Sequence, residues 1–472
     1  MQRTKMVFTI GPASDSKRIL TKLMDIGMNV ARLNFSHGTH ENHKTKMDLI
    51  KNLREDLNKS VAIMLDIRGP KIRTHNFNGD KVLIDKGQNF TFSCGKEILG
   101  SKERCSVSYE DLCHDLKPSG TILVDDGLLE FKIDSIQGTE INCTAMNSGY
   151  IGNHKGINVP NISIGLPAVT DKDKLDLIFG CEQGVDIVAA SFIRKAEDVL
   201  DVRKILNANG GNYIQIISKI ETQEGVDNID AIIDVSDGIM VARGDMGVEI
   251  PIQKVPIIQK MIIHKCNKLG KPVITATQML DSMIRNPRPT RAEASDIANA
   301  IFDGTDAIML SGESANGNYP LEAALTMSKI AIESEANINF RTALNERKQE
   351  SLSNISNAIS LATCTTADEL KVSAIITSTQ SGHTARMVSK YRPRCPIIAV
   401  TPSKQVARSL SINFGVQTII SIKLTSTDEL MADAVGKCLI AGYIKKGDVV
   451  IIAAGIPACK SGTTNMMKIQ EV

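Results

Sequence analysis

The stretch Ile214–Gly247, IQIISKIETQEGVDNIDAIIDVSDGIMVARGDMG, decides the fold. It opens on a short, nearly unbroken apolar run, Ile214–Lys219, continues through a polar-rich, helix-like segment and closes on a second such run, Gly238–Arg243. Runs without alternation suit strands buried on both faces of a parallel sheet. Charge collects where the runs end, at Lys219 and Glu221 after the first and at Arg243 and Asp245 after the second.

Working outward, the same pattern recurs at Thr4–Ile10, Met28–Leu33, Val61–Asp66, Val185–Ser191, Pro272–Thr277 and Thr305–Ser311, giving eight runs in all. Eight strand-then-helix units predict a (β/α)8 barrel of TIM type, built from residues 1–68 and 157–340. Start-to-start spacings are 24 to 34 residues except between the third and fourth runs, where the gap of 124 leaves about 90 to spare. The surplus, residues 69–156, alternates instead: Thr121–Val124, Leu128–Ile133 and Ile141–Ala145 meet at the turn residues Asp126-Gly127 and Gln137-Gly138. It reads as a small inserted β-barrel domain leaving the catalytic end of a barrel strand, placed either as a lid or as a passive decoration. After Asn339 the polar stretch Arg341–Ser353 is expected to be a linker. Beyond it, residues 354–472 form an α/β domain with strands Ala374–Thr377, Pro396–Thr401, Val416–Ser421 and Asp448–Ala454 and helices around Thr384–Tyr391 and Asp428–Tyr443.

Composition narrows the function. With 55 Lys+Arg against 53 Asp+Glu, the chain carries no broad field for nucleic acid or an anionic membrane, so anion recognition must be local. Ten cysteines, scattered singly with no C-x-x-C pair, fit a reducing cytoplasm. The apolar stretch Met6–Ile10 is too brief for a signal-peptide core. The longest apolar run, Val449–Cys459, is about half of a membrane span, and no membrane partner is expected.

The strand ends carry the functional signal: Arg32, Asn34 and Ser36 after the second, Asp66 after the third, Lys219 and Glu221 after the fifth, Arg243 and Asp245 after the sixth, Thr277 after the seventh, Ser311 and Glu313 after the eighth. A lone rim Asp or Arg is more often a loop cap or ion pair than a catalyst. Here five of eight strand ends supply charge, and a barrel gathers those ends onto one rim. Lys219 and Glu221, two apart, point the same way off an extended chain. Glu221 and Asp245 are hard carboxylates suited to Mg2+ or Mn2+, with substrate and water completing the shell. Gly244 and Gly247 let backbone amides approach an anion. Arg32, Lys219 and such a cation would together neutralise a phosphoryl group in transfer. The G-x-x-x-x-G-K-[ST] and G-x-G-x-x-G loops are absent, so a nucleotide would rely on basic side chains and the metal, with Arg73 and Lys155 at the two ends of the insertion as candidates. A metal-dependent lyase or mutase on a similar barrel, or a non-catalytic sensor using the last domain, are the competing classes. The first has no need of Arg73 and Lys155; the second has no use for Lys219, Glu221, Asp245 and Thr277 together.

ARLNFSHG at Ala31–Gly38, GPKIRT at Gly69–Thr74, KGINVP, ISKIE, MVARGDMGVEIP, ATQML and IMLSGES follow one another as they do in pyruvate kinases, and by these long motifs the chain resembles that family over essentially its whole length. The resemblance is to bacterial members without a further phosphohistidine-type domain, since the chain stops at Val472. It implies a mobile lid, an allosteric C-terminal domain, a homotetramer, and transfer of phosphate from phosphoenolpyruvate to ADP. Arg32 and Lys219 would stabilise the migrating group, and Glu221 and Asp245 would hold the divalent metal. The amides of Gly244 and Asp245 with the Thr277 hydroxyl would grip the substrate carboxylate. Thr277 would organise the protonating water, with Ser311 and Glu313 supporting the relay, while His37, Arg73 and Lys155 would serve ADP or ATP. Many members have Glu where Lys71 stands and need K+, held at positions matching Asn34, Ser36, Asp66 and the Ile67 carbonyl. An ammonium from Lys71 near that site would make turnover independent of K+. In the last domain, Thr379, Gln380, Ser381, Gly382, His383 and Thr384 precede a helix and read either as an anion site or as a simple N-cap; the resemblance favours a phosphorylated effector.

Overall fold

The computed structural model describes residues 2–160, 162, 164–350, 353–424, 426–456 and 464–472. Strands Lys5–Thr9, Met28–Asn34, Ala62–Asp66, Ile187–Ala190, Gln215–Ile220, Gly238–Ala242, Val273–Ala276 and Ala307–Leu310 close into an all-parallel barrel. The uniform hydrophobicity of the runs follows from two apolar environments. Val7, Ala62, Met64, Ile187 and Ala189 fill the barrel interior. Their neighbours Met6, Phe8, Ile63, Leu65 and Val188 pack outward against the ring of helices. Alternate residues of one strand are therefore both buried, and no polar face is left to break the run.

The insertion holds a two-stranded sheet, Lys81–Ile84 with Gly149–Gly152, and a seven-stranded sheet whose edges meet: Thr74 bridges Val107, and hydrogen bonds run from His75 N to Ser106 O at 3.0 Å and from Ser108 N to Arg73 O at 2.9 Å. It is thus a small barrel with its own core of Phe90, Phe92, Phe131 and other apolar side chains. Its return to the main barrel comes later than residue 156. Strand Gly156–Asn158 pairs with lid strands, Ile157 and Val159 belong to the lid core, and Ile164 and Leu166 pack on it. Arg194 fastens that returning segment to the barrel by donating to the carbonyls of Ile164 and Leu166.

The expected linker Arg341–Ser353 is largely helix, Phe340–Gln349, followed by a second helix, Ile355–Leu370. Asn339 caps the first by accepting from Thr342 N at 3.1 Å, and Leu344 is its buried anchor, too little apolar surface to declare a period in so charged a stretch. The last domain is a five-stranded sheet in the order Val416–Ile420, Ile397–Thr401, Ala374–Ser378, Val449–Ala454, Met466–Glu471. The first four strands are parallel; the last, not anticipated, is an antiparallel edge. No described helix is long and apolar enough to cross a membrane, and no described cysteine is in a disulfide.

Candidate active site

The strand ends converge on a cavity of about 560 Å3 between rim and lid, lined by Arg32, Asn34, Ser36, His37, Asp66 and Lys219 together with Glu221, Gly244, Asp245, Lys71 and Arg73. Residues drawn from more than 210 positions of sequence thus share one pocket.

Asp66, 1% exposed, is its hub. Its carboxylate accepts from Arg32 Nε at 2.6 Å and from Lys219 Nζ at 3.2 Å. Arg32 also donates to Thr9 Oγ1 at 2.8 Å, and Lys219 to Ser191 Oγ at 2.6 Å, so both cations are fixed before any ligand arrives. Burial works against the charge on Asp66, but Arg32 and Lys219 outweigh it and hold the carboxyl below its ordinary range. Burial likewise opposes the Lys219 ammonium, and Asp66 and Glu221 overcome it, keeping the lysine protonated well beyond its usual range.

Glu221 is 1% exposed. One oxygen accepts from Phe192 N at 2.6 Å. The other lies 3.0 Å from the Lys219 ammonium but is not aligned for a hydrogen bond and has no hydrogen-bond partner. Burial, then the like charge of Asp245, pushes its carboxyl up in spite of Lys219. A buried acceptor without a donor, beside a second carboxylate, is a pair whose repulsion a divalent cation would relieve, and oxygen ligands suit Mg2+ or Mn2+. No cluster of three or more His, Cys, Asp or Glu side chains with metal-binding geometry occurs among the described residues, so a cation here would draw its other ligands from substrate and water.

Thr277 holds φ at +69°, followed by Gln278 at +55°; for a β-branched residue this is backbone strain of about 1–3 kcal/mol. Arg243 maintains it, donating to the carbonyls of Thr277 at 2.8 Å and Ala276 at 3.3 Å while anchored to Asp296 at 2.7 Å. The strained turn aims the Thr277 hydroxyl at Gly244 N–H, 2.7 Å away, beside the cavity. A rim charge in the sequence, Arg243 is spent on positioning backbone.

The other expected residues divide between the cavity and its surroundings. Glu313 does not reach the cavity: it accepts from Leu280 N at 3.0 Å and Ser311 N at 2.7 Å, is 2% exposed, and burial raises its carboxyl. Ser311 instead lines an adjoining cavity with Thr9, Arg32, Asn34 and His37. Lys155 is held by Asp125 at 2.9 Å, away from the cavity lining. Arg73 lines it but spends one nitrogen on the His154 carbonyl, 2.9 Å away. Lys71 lines the same cavity as Asn34, Ser36 and Asp66, but its contacts are with other carboxylates. Asp245 at 2.9 Å and Asp126 at 3.1 Å flank its ammonium, and despite burial these carboxylates raise its proton affinity. The Ile67 carbonyl accepts from Ser191 Oγ at 2.7 Å, and Asn34 Oδ1 from Ser36 N at 3.1 Å.

Sequence reasoning missed Ser191 and Arg68 as cavity residues and took Asp126 only for a turn. Ser191 had a signal, a hydroxyl closing an apolar strand; Asp126 had none, because only the fold brings the lid hairpin over the rim.

In the last domain, Thr379, Gln380, Ser381, His383 and Thr384 line a narrow cavity with Gly455 and Ile456 across the sheet. It lies beyond the ends of adjacent parallel strands, where the order of connection reverses. Thr379 Oγ1 accepts from Gly382 N at 2.9 Å, but Gly382 is itself the N-cap of helix His383–Ser389, and no described side chain caps that helix.

A closed barrel with two cations preset on one buried carboxylate, two rim carboxylates and an inserted domain across them suits transfer of a phosphoryl group, the class of reaction to which comparison with known proteins assigns the chain. The chain matches the family model for the pyruvate kinase barrel domain over residues 1–324 and that for the pyruvate kinase alpha/beta domain over residues 357–470. It is 64% identical to a pyruvate kinase of Clostridium acetobutylicum and 58% identical to one of Clostridium perfringens, each over the full length of both chains. It is 53% identical to a pyruvate kinase of Bacillus licheniformis, covering 100% of this chain and 81% of that one. The crystal structure of a pyruvate kinase from Cryptosporidium parvum superposes with a TM-score of 0.95 at 39% identity, covering 100% of this chain and 96% of that chain. This chain belongs to the pyruvate kinase family.

Proposed function

We propose that this phosphotransferase moves the phosphoryl group of phosphoenolpyruvate onto ADP, releasing pyruvate and ATP. The observation that carries the reading is the pair of cations preset on Asp66 at 2.6 and 3.2 Å, opening onto the cavity that Glu221 and Asp245 share. Lys219 and Arg32 bind the phosphoryl oxygens and neutralise the charge that spreads over them in transfer. The amides of Gly244 and Asp245, with the Thr277 hydroxyl, take the substrate carboxylate, and Thr277 orients the water that protonates the enolate carbon. Glu221 and Asp245 would hold Mg2+ or Mn2+, which when bound supplies Lewis-acid charge at the reacting oxygens. Ser311 borders the reaction space and Glu313 shapes its loop from behind. His37 and Arg73 meet the nucleotide phosphates, and Lys155 joins them by leaving Asp125.

Lys71 supplies the positive charge that a monovalent cation provides at Asn34, Ser36, Asp66 and Ile67 in relatives with Glu at its position, so turnover does not require K+. A phosphorylated metabolite bound at Thr379–Thr384 activates the enzyme, which works as a cytoplasmic homotetramer. A coupled assay tests the core of this. Pyruvate release should depend on ADP, persist with sodium or tetramethylammonium as the sole monovalent cation, and fall about a thousandfold or more in Lys219→Met with the fold retained. A rate collapse restored by K+ would refute the role given to Lys71; normal turnover by Lys219→Met would refute the mechanism.

A further inference from the structure

We propose that Lys71 is a resident cation that competes with the divalent metal for Asp245 and, while it holds that carboxylate, ties the lid to the barrel rim. The inference rests on the reading of Asp245 as a metal ligand. One ammonium joins three segments far apart in sequence: its own strand at the entry to the lid, Asp126 on a lid hairpin at 3.1 Å, and Asp245 on the barrel at 2.9 Å. The contact is built for. The lysine stem crosses Gly156, where a Cβ would meet its Cε at 2.5 Å and make the flexible stem shift, so the glycine leaves the present path open. The Lys71 side chain is 14% exposed against 71% for Asp126 and 31% for Asp245, so the charge reaches inward to the less exposed of its two partners. The hairpin also sits against the rim, since a Cβ on Gly127 would lie 3.8 Å from Val248.

An ammonium and a divalent ion cannot share the same carboxylate oxygen at contact distance without strong repulsion. A metal that takes the Asp245 oxygen held by Lys71, Oδ1, therefore displaces the ammonium. The lid then loses its tie on the barrel, and the freed ammonium, still beside Asp126, faces the cavity where phosphate enters. Lys71 thereby sets the metal affinity of the resting enzyme and couples metal arrival to lid release.

Mn2+ binding to the substrate-free enzyme, read by the electron paramagnetic resonance of the free ion, tests the competition. Lys71→Met should bind Mn2+ about three- to fivefold tighter than wild type, the upper worth of one partly exposed ion pair. Arg73→Met removes a charge from the same cavity without touching Asp245 and should change the affinity by less than about twofold. In hydrogen exchange, Mg2+ should speed exchange in the hairpin around Asp126 of the wild type, whereas in Lys71→Met exchange should be fast already and unmoved by Mg2+. Equal Mn2+ affinities for wild type and Lys71→Met, an equal gain in Arg73→Met, or a hairpin indifferent to Mg2+ in the wild type would overturn the proposal. Glu221→Gln and Asp245→Asn separate the two readings. If both abolish Mn2+ binding while Lys71→Met leaves it unchanged, the competition fails and the metal site stands; if neither weakens it, both fail.

Discussion

Asp66 is a buried carboxylate that accepts from both the guanidinium and the ammonium to which phosphoryl recognition is assigned in the proposed reaction. Removing its charge while keeping its shape, in Asp66→Asn, leaves two buried cations short of a counter-charge, a destabilisation of about 3–5 kcal/mol. The pH dependence follows from the direction of its shift. Its carboxyl is more acidic folded than unfolded, so the stability it contributes is full above the unfolded value near ~3.9 and is lost as pH falls through the depressed folded value. The gap in urea midpoint between wild type and Asp66→Asn should therefore be flat from about pH 6 to 8 and narrow towards pH 3. A gap that widens in acid would show that Asp66 is not the ionised hub.

At the scale of elements, legibility followed the kind of force that fixes each one. The eight barrel strands were readable to within about three residues because burial on both faces leaves an uninterrupted apolar run, and their polar ends were readable as site residues because the rim collects them. Helix Phe340–Gln349 was not, since one buried leucine in a charged stretch leaves no period. Edge strand Met466–Glu471 was hidden for a related reason: bounded by one neighbour and largely open to solvent, it needs no apolar face. Within the site, Lys219 and Glu221 could be paired from their spacing. Which carboxylate each cation chooses could not, because Lys71 reaches Asp245 and Lys155 reaches Asp125 across a lid whose pose belongs to tertiary structure. Arg243 marks the boundary between the two cases, visible as a rim charge yet invisible as the support of a strained turn.

At the scale of the whole molecule, the last domain is built into the barrel and does not merely hang from it. Ile412, fully buried, packs within the apolar interior of the barrel beside Val7, Val30 and Ala307. Two carboxylates at the starts of barrel strands are claimed from the same side. Asp306 accepts from Arg392 at 2.9 Å and from Phe414 N at 3.1 Å; Asp186 accepts from Arg408 at 2.6 Å. The segment that delivers Ile412 and Arg408 starts just past Pro402, and the one that delivers Arg392 starts at His383; both of those residues line the narrow cavity of the last domain. The residues that line that cavity and the side chains seated in the barrel floor thus share the same two segments. Truncating the plug, in Ile412→Ala, should cost about 2–5 kcal/mol through lost burial and a residual cavity. Because the plug spans two domains, its loss should also split their joint cooperative unfolding, so calorimetry should resolve two transitions where the wild type shows one. A single transition at an unchanged midpoint would mean that the two domains are held together by their polar contacts alone.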